Sequence, residues 1–233
     1  MQTFSDAVRN ALHLVLSLDP GVVEYAARSL LIASVATAAA AVAGIPHGVF
    51  VAEHDFPAKR AVVTVLNTLL ALPTVVVGLT VYTLLSRTGP LGGLGLLFTV
   101  PGNIIGEFFL ILPIVTAFTV SAVARTDRDV RRTALALGAS SRQALWTVLA
   151  ESRFGVLAAV IAAYGRVVSE VGVATVVGGN ADHFTRTMTT AIVLNTDMGN
   201  FALALALGMV LLTVSLSINI VFHHFQGAGE TRC

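Results

Sequence analysis

Two ionisable residues four positions apart, Arg166 and Glu170, lie within a long apolar stretch. On a helix this spacing places both side chains on one face, where they can pair. A lone ion at the bilayer centre costs about 2.5–3.5 kcal/mol, and pairing reduces that cost. Glu107 is a further candidate partner, and Ser169 and Thr175 are neighbouring hydroxyls. Two interpretations stay open, a structural ion pair or the lining of a translocation path, and both predict side chains that face a bundle interior.

A second polar group lies in residues 183–195, a partly apolar segment too short to span a bilayer. Arg186 stands among Thr185, Thr187 and Thr189. Guanidinium and hydroxyl donors suit a tetrahedral dianion. We therefore expect a re-entrant or surface helix whose donors guide an oxyanion, with Arg186 and Thr187 on its path. The alternative is a solvated loop that contacts a partner protein.

Most catalytic and metal-binding patterns are missing from this sequence. The single lysine, Lys59, follows an alanine, so no Gly-Lys-Ser/Thr phosphate loop exists. The single cysteine, Cys233, excludes disulfide frameworks and cysteine metal sites within one chain. His223 and His224 are interpreted as the polar flank of the last span. We expect no catalytic residue, no metal site and no cofactor bound by this chain.

The composition indicates a membrane protein. Hydrophobic residues make up 55% of the 233 residues and charged residues only 12%, against roughly 25% charged residues in soluble domains. Too few ionic groups remain to cover a surface that faces water. The net charge of +1 gives no indication of nucleic-acid binding. Arg9, Asn10 and His13 interrupt the N-terminal apolar stretch, so we expect no cleavable signal peptide.

The hydropathy pattern predicts an all-α bundle of about five membrane spans in one domain, residues 1–233. A bilayer needs about 20 apolar helical residues per span. The predicted spans cover residues 29–51, 62–85, 103–124, 154–177 and 200–222. Pro73 and Pro113 lie in mid-span and predict kinks, while small residues from Ala33 to Gly44 predict close helix packing.

The N-terminal residues 1–20 are predicted to lie in the membrane interface. Residues 4–18 place Phe4, Val8, Leu12 and Val15 on one helical face, which is typical of an amphipathic helix. A short sixth span is the alternative. Asp19-Pro20-Gly21 is expected to end this helix in a turn.

The distribution of basic residues predicts the orientation. Lys59 and Arg60 precede the second span, and six arginines lie between Arg125 and Arg153. Because cytoplasmic loops carry an excess of Lys and Arg, we expect these segments and the C-terminus in the cytoplasm and the N-terminus outside.

The cytoplasmic segment, residues 125–151, is longer and more apolar than a simple connection. Leu135, Gly138, Leu145 and Val148 predict two short helices joined at Gly138-Ala-Ser, where Ser140 or Ser141 caps the second. A semi-apolar helix outside the membrane needs a partner that covers it.

This segment resembles the EAA loop of ABC importer permeases, in which a Glu-Ala-Ala triplet precedes a glycine. Arg132-Thr133-Ala134 matches the triplet and Gly138 the glycine. Arg132 replaces the acidic residue, and Ala150-Glu151 stands where many members have Leu-Pro, so the ionic contact to the partner is expected to differ. The resemblance implies a coupling helix that inserts into an ATP-binding subunit through Arg131, Arg132, Thr133, Ala134, Leu137, Gly138, Ala139 and Ser140.

The resemblance extends over nearly the whole chain. Residues 66–78, 86–92, 165–172 and 185–192 are similar to the molybdate, tungstate and sulfate permeases, and Gly178-Gly179-Asn180 is similar to the tungstate type. The resemblance implies a type I ABC permease fold and an ATP-driven importer of an oxyanion, tungstate first and molybdate or sulfate as alternatives.

The same resemblance implies the partners and the location. They are a second permease copy, two ATP-binding subunits that hold ATP and Mg²⁺, an extracytoplasmic substrate-binding protein, the oxyanion and the lipid bilayer. The membrane is the cytoplasmic membrane of a bacterium or archaeon.

Two other classes of function remain open. A secondary transporter would use Arg166 and Glu170 for proton coupling, although five spans without an inverted repeat are atypical of that class. A non-transporting membrane scaffold would be isolated without a nucleotide-binding subunit.

Overall fold

The computed structural model describes residues 4–126 and 128–230. Within these ranges the chain forms eleven α-helices, one short 3₁₀ turn at Gly92–Leu94 and no strand, which confirms the all-α prediction. The helices are α1 (Phe4–Leu16), α2 (Pro20–Glu53), α3 (Lys59–Leu69), α4 (Thr74–Leu85), α5 (Val100–Ala124), α6 (Arg128–Ala136), α7 (Ser141–Glu151), α8 (Arg153–Val168), α9 (Gly172–Gly178), α10 (Met188–Asp197) and α11 (Phe201–Glu230).

Three helices of the described chain are long and apolar enough to cross a bilayer: α2, α5 and α11 over Phe201–Ile220. They contain or closely match the predicted spans 29–51, 103–124 and 200–222. Two helix pairs reach that length only together, and both are bent, α3 with α4 by 101° and α7 with α8 by 65°. Counting each bent pair as one span gives up to five spans, the predicted number, but the pair α7 with α8 does not coincide with the predicted span 154–177, because α7 lies within residues 125–151.

The prediction of a continuous span over residues 62–85 is wrong, because the helix ends at Leu69 and restarts at Thr74. Pro73 lies at the break with extended backbone angles (φ −61°, ψ 128°) and precedes the first residue of α4. Proline has no amide hydrogen and clashes with the preceding turn. It therefore starts a new helix here and does not kink a continuous one. Pro113, by contrast, lies inside the uninterrupted α5.

The prediction of a continuous span over residues 154–177 is also wrong. Helix α8 ends at Val168, and α9 begins at Gly172. Between them, Glu170 Oε1 accepts hydrogen bonds from the amides of Gly172 (2.7 Å) and Val173 (3.3 Å). Acceptors of this kind satisfy the free amides of a new helix start, so the Glu170 side chain favours the start of α9 at this position.

Helix α2 packs along α5 through a row of small residues from Ala33 to Gly48. A Cβ added at Gly44 would lie 3.0 Å from Val115 Cγ1, and one at Gly48 would lie 2.6 Å from Thr119 Cβ. The predicted close packing of small residues is thus confirmed, with α5 of the same chain as the partner.

The N-terminal helix and the residues after it differ in part from the prediction. Helix α1 covers Phe4–Leu16, as expected, and buries Ala7 and Ala11. Its location in the membrane interface stays a prediction. Asp19 follows α1 in the predicted turn, and it also caps the start of α2. Its Oδ1 accepts hydrogen bonds from the amides of Gly21 (3.0 Å) and Val22 (3.3 Å).

Candidate functional site

The predicted pair of short helices in residues 125–151 is present as α6 and α7. They meet at Gly138, whose φ of +88° lies in the left-handed region that favours glycine. Ser140 then caps α7 in a capping box with Gln143: Gln143 Oε1 accepts from the Ser140 amide (2.7 Å), and Ser140 Oγ accepts from the Gln143 amide (3.4 Å). The local sequence therefore sets the angle between the two helices.

An ion pair attaches this segment to the bundle. Arg131 Nε lies 3.0 Å from Glu53 Oε2, at the end of α2. Arg132, predicted on the partner-facing triplet, contacts Asp129 at 3.3 Å and is largely exposed. The contact between Arg131 and Glu53 joins residues far apart in sequence, so spacing alone could not predict it.

The segment exposes large apolar side chains. Leu137 is 83% exposed and Trp146 is 69% exposed. A cleft of about 630 Å³ lies between α6 and α7. It is lined by Asp129, Val130, Thr133, Ala134, Leu137, Ala139 and Thr147. Four of the predicted coupling residues thus line one cleft, and exposed apolar surface of this kind is typical of protein–protein contacts.

Arg166 and Glu170 form the predicted ion pair, with Arg166 NH1 3.4 Å from Glu170 Oε2. The two residues do not share a helix face, however, because Glu170 lies beyond the end of α8. The Glu170 side chain is 2% exposed, while that of Arg166 is 43% exposed, so only Glu170 faces the interior as predicted. Glu170 also accepts a hydrogen bond from Thr189 Oγ1 at its carbonyl oxygen (2.6 Å), and it therefore links α8, α9 and α10.

Arg186 donates its hydrogen bonds inside the protein. Its guanidinium donates to the side-chain and main-chain oxygens of Asn180 (3.1 and 3.3 Å), pairs with Asp182 Oδ1 (2.9 Å) and lies over the Tyr25 ring. The side chain is only 15% exposed. Tyr25, on α2, donates to Asp182 Oδ1 (2.7 Å). This hydrogen bond and the charge of Arg186 hold the pKa of Asp182 below its usual value.

The three threonines expected to act as oxyanion donors are buried. Thr185 Oγ1 donates to the carbonyl of Gly178 (2.6 Å), and Thr189 Oγ1 donates to that of Glu170. Thr187 caps α10 in a capping box with Thr190. Helix α10 begins at Met188, five residues after the predicted segment start. These hydroxyls fix the loop to the bundle in this structure.

A cavity of about 1050 Å³ lies between α5, α8 and α11. It extends from Ser169, at the break after α8, to Arg125 and Glu151, the first and last residues of the segment 125–151. Its other polar lining residues are Ser121, Thr126, Ser152, Ser215 and Asn219. Of the predicted path residues, Ser169 lines it; Arg166 and Thr175 are exposed outside its lining, and Glu170, Arg186 and Thr187 are not part of it.

Sequence reasoning missed most of this lining, because it comes from three helices far apart in the chain. Ser215 and Asn219, four residues apart in the last apolar stretch, were the available signal. Cys233 and the side chains of His223 and His224 lie outside the described residues.

The sequence model of the binding-protein-dependent transport system inner membrane component matches residues 44–228. The chain therefore belongs to this family, the membrane-spanning permeases of ABC importers, and is a multi-pass membrane protein.

Among its relatives, the chain is 36% identical to a tungstate uptake system permease protein from Peptoclostridium acidaminophilum, over 97% of this chain and 99% of the relative. It is 38% identical to a protein of the same description from Campylobacter jejuni, over 95% and 92% of the two chains. A probable anion ABC transporter permease protein from Haloferax volcanii is 40% identical over 88% and 90%.

Proposed function

We propose that this chain is the permease subunit of an ATP-driven importer of tungstate. Two copies pair to form the translocation path, two ATP-binding subunits supply the energy, and an extracytoplasmic protein delivers the oxyanion. The coupling segment, residues 125–151, lies in the cytoplasm, as the excess of arginine there favours. Molybdate and sulfate are the alternative substrates.

The coupling segment is the observation that carries this proposal. The pair α6 and α7 presents Leu137 beside a cleft of about 630 Å³, and Arg131 attaches α6 to Glu53 at the end of α2. A partner that moves α6 therefore acts on the end of α2 through this ion pair. This contact supports a role of α6 in coupling an ATP-binding subunit to the membrane helices.

The path itself is proposed to include the cavity between α5, α8 and α11. Ser169 lies at one end, and Arg125 and Glu151, one cation and one anion, lie at the other. Arg166 and Thr175 are exposed on either side of the break and face the path in a pair of subunits. Glu170, Arg186 and Thr187 hold the surrounding loops in place through the contacts described above.

The choice of tungstate is supported by relatives. Two proteins described as tungstate uptake permeases align with more than nine-tenths of this chain. Selectivity is expected to lie mainly in the extracytoplasmic protein, because a path that binds an ion tightly cannot release it.

The experiment reconstitutes the permease with its ATP-binding subunit and binding protein and measures uptake of tungstate, molybdate and sulfate. We expect ATP-dependent uptake with tungstate transported at the lowest concentration. Leu137→Asp should abolish association with the ATPase, while Leu94→Asp, a substitution at an exposed leucine outside α6 and α7, should leave that association unchanged.

Unchanged ATPase association in Leu137→Asp would remove the coupling role. Uptake that persists without ATP and stops when the proton gradient is dissipated would refute the importer. Preferred uptake of molybdate or sulfate would refute only the choice of tungstate.

A further inference from the structure

A small polar cavity lies where α2, α5, α8, α9 and the start of α10 meet. Its oxygen-bearing lining residues are Ser29 of α2, Glu107 of α5, Glu170 of the break, and Thr187 and Thr189 at the start of α10. Its volume is about 10 Å³, close to what one water-sized particle needs. The cavity is separate from the larger one that the proposed function uses.

Glu107 is the unsatisfied group of this cavity. The residue is 1% exposed, and its Oε2 has no hydrogen-bond partner in the protein. A buried carboxylate oxygen without a partner is rare, because such groups are costly to remove from water. The oxygen therefore needs a positively charged or proton-donating ligand.

Both carboxylate oxygens of Glu170 already have partners of their own. One oxygen of Glu170 accepts from the amides of Gly172 and Val173, and the other pairs with Arg166. With both carboxyl groups ionised, Glu107, Glu170 and Arg166 carry a formal charge of −1 around the cavity. Arg166 compensates only one of the carboxylates, and its side chain is itself partly exposed.

The charged side chains on the neighbouring helices pair with other residues. Arg28 of α2 pairs with Glu24 and donates to the carbonyl of Arg186, and Arg186 pairs with Asp182. Within Gly172–Gly178 and Met188–Asp197 the one ionisable residue is Asp197, at the far end of α10. None of the described side chains around the cavity therefore supplies a positive charge that would balance Glu107.

We propose that this cavity binds one monovalent cation at Glu107, either a proton carried with a water molecule or an alkali ion. Both supply a single positive charge to a set of carboxylate and hydroxyl oxygens, which are ligands suited to hard cations. The bound cation holds α2, α5, α10 and the break before α9 together. The inference goes beyond the proposed transport of an oxyanion, and its test measures stability, so its failure leaves that proposal untouched.

The test follows unfolding of the intact permease in lipid nanodiscs. Sodium or potassium chloride is exchanged for choline chloride at constant ionic strength, and in a second series the pH is lowered from about 8 to about 6. For a single site above its dissociation constant, each tenfold rise in cation concentration increases the folded-to-unfolded ratio about tenfold. Glu107→Gln should abolish this dependence. Asp55→Asn, a substitution at an exposed carboxylate, should retain it.

If stability depends on alkali ions and Glu107→Gln abolishes this dependence, the bound cation is an alkali ion. Dependence on pH alone, abolished in the same variant, identifies a proton. Absence of both in the wild type, or either one retained in Glu107→Gln, overturns the proposal. If the variant fails to fold, two measurements on the wild type test the proposal. We expect either one bound radioactive sodium ion per chain or an infrared band of a protonated buried carboxyl group. Finding neither overturns the site.

Discussion

Replacing Glu170 by alanine removes the acceptor on which α9 begins. The amides of Gly172 and Val173 lose their bonds to Glu170 Oε1, which measure 2.7 and 3.3 Å. The carbonyl of residue 170 can still accept from Thr189, so the substitution removes the side-chain contacts alone. Glu170→Gln is the matched control, because its amide oxygen preserves an acceptor and removes only the charge.

The expected loss follows from these contacts. A buried donor left without a partner costs about 1–3 kcal/mol, and the substitution leaves one buried amide, that of Val173, and one part-buried amide, that of Gly172. The pair with Arg166 adds at most about 1 kcal/mol, because the Arg166 side chain is 43% exposed and screened by its surroundings. We therefore expect Glu170→Ala to lower the free energy of unfolding by about 3 kcal/mol and Glu170→Gln by about 1 kcal/mol.

Two measurements check this prediction. Unfolding by a denaturing detergent, followed by circular dichroism, gives the global loss. Hydrogen exchange of peptides that cover residues 169–178 gives the local effect, and we expect faster exchange at the start of α9 in the alanine variant only. Equal losses in the two variants, within about 0.5 kcal/mol, or unchanged exchange at residues 172 and 173, would refute the reasoning.

Three further predictions concern other parts of the bundle. Ser140→Ala removes the capping box and should destabilise α7 by about 1 kcal/mol, seen as faster hydrogen exchange there. Gly48→Ala should cost about 1–3 kcal/mol in unfolding free energy, because the new Cβ would lie 2.6 Å from a threonine carbon of α5; Gly208→Ala, in open space, should be near neutral. Asp182 has a lowered pKa in the folded state, mainly through the Tyr25 hydroxyl, so its stabilising contribution is present above the unfolded value of 3.8 and is lost as the pH falls through the lowered one. Acid titration of unfolding should therefore show a smaller loss in Asp182→Asn than in the wild type.

Local features of the site were predictable from the sequence. The angle between α6 and α7 depends on Gly138 and on Ser140 with Gln143, residues within a few positions of one another. Capping and left-handed turns are interactions between close neighbours, so their residue types identify them. The partner that α6 and α7 contact stays a proposal.

The two broken helices show where the local pattern is insufficient. Hydropathy predicted continuous spans over residues 62–85 and 154–177, because apolar composition is the same on both sides of each break. From the sequence alone, Pro73 predicts a kink, since a proline in a membrane helix is often tolerated. The spacing of Arg166 and Glu170 predicts a shared helix face, since spacing alone cannot distinguish an i,i+4 pair from a capping carboxylate.

By itself, the sequence determined that this protein is a membrane protein and that α2, α5 and α11 are long apolar helices. It also determined that residues 125–151 form a capped helix pair. These features depend on composition and on contacts within a few residues. Only the tertiary structure decided that Arg186 lies over the Tyr25 ring and pairs with Asp182, and that Glu107 and Glu170 line the same small cavity. The physical reason is that these contacts join distant helices, whose relative rotation is set by packing over the whole bundle.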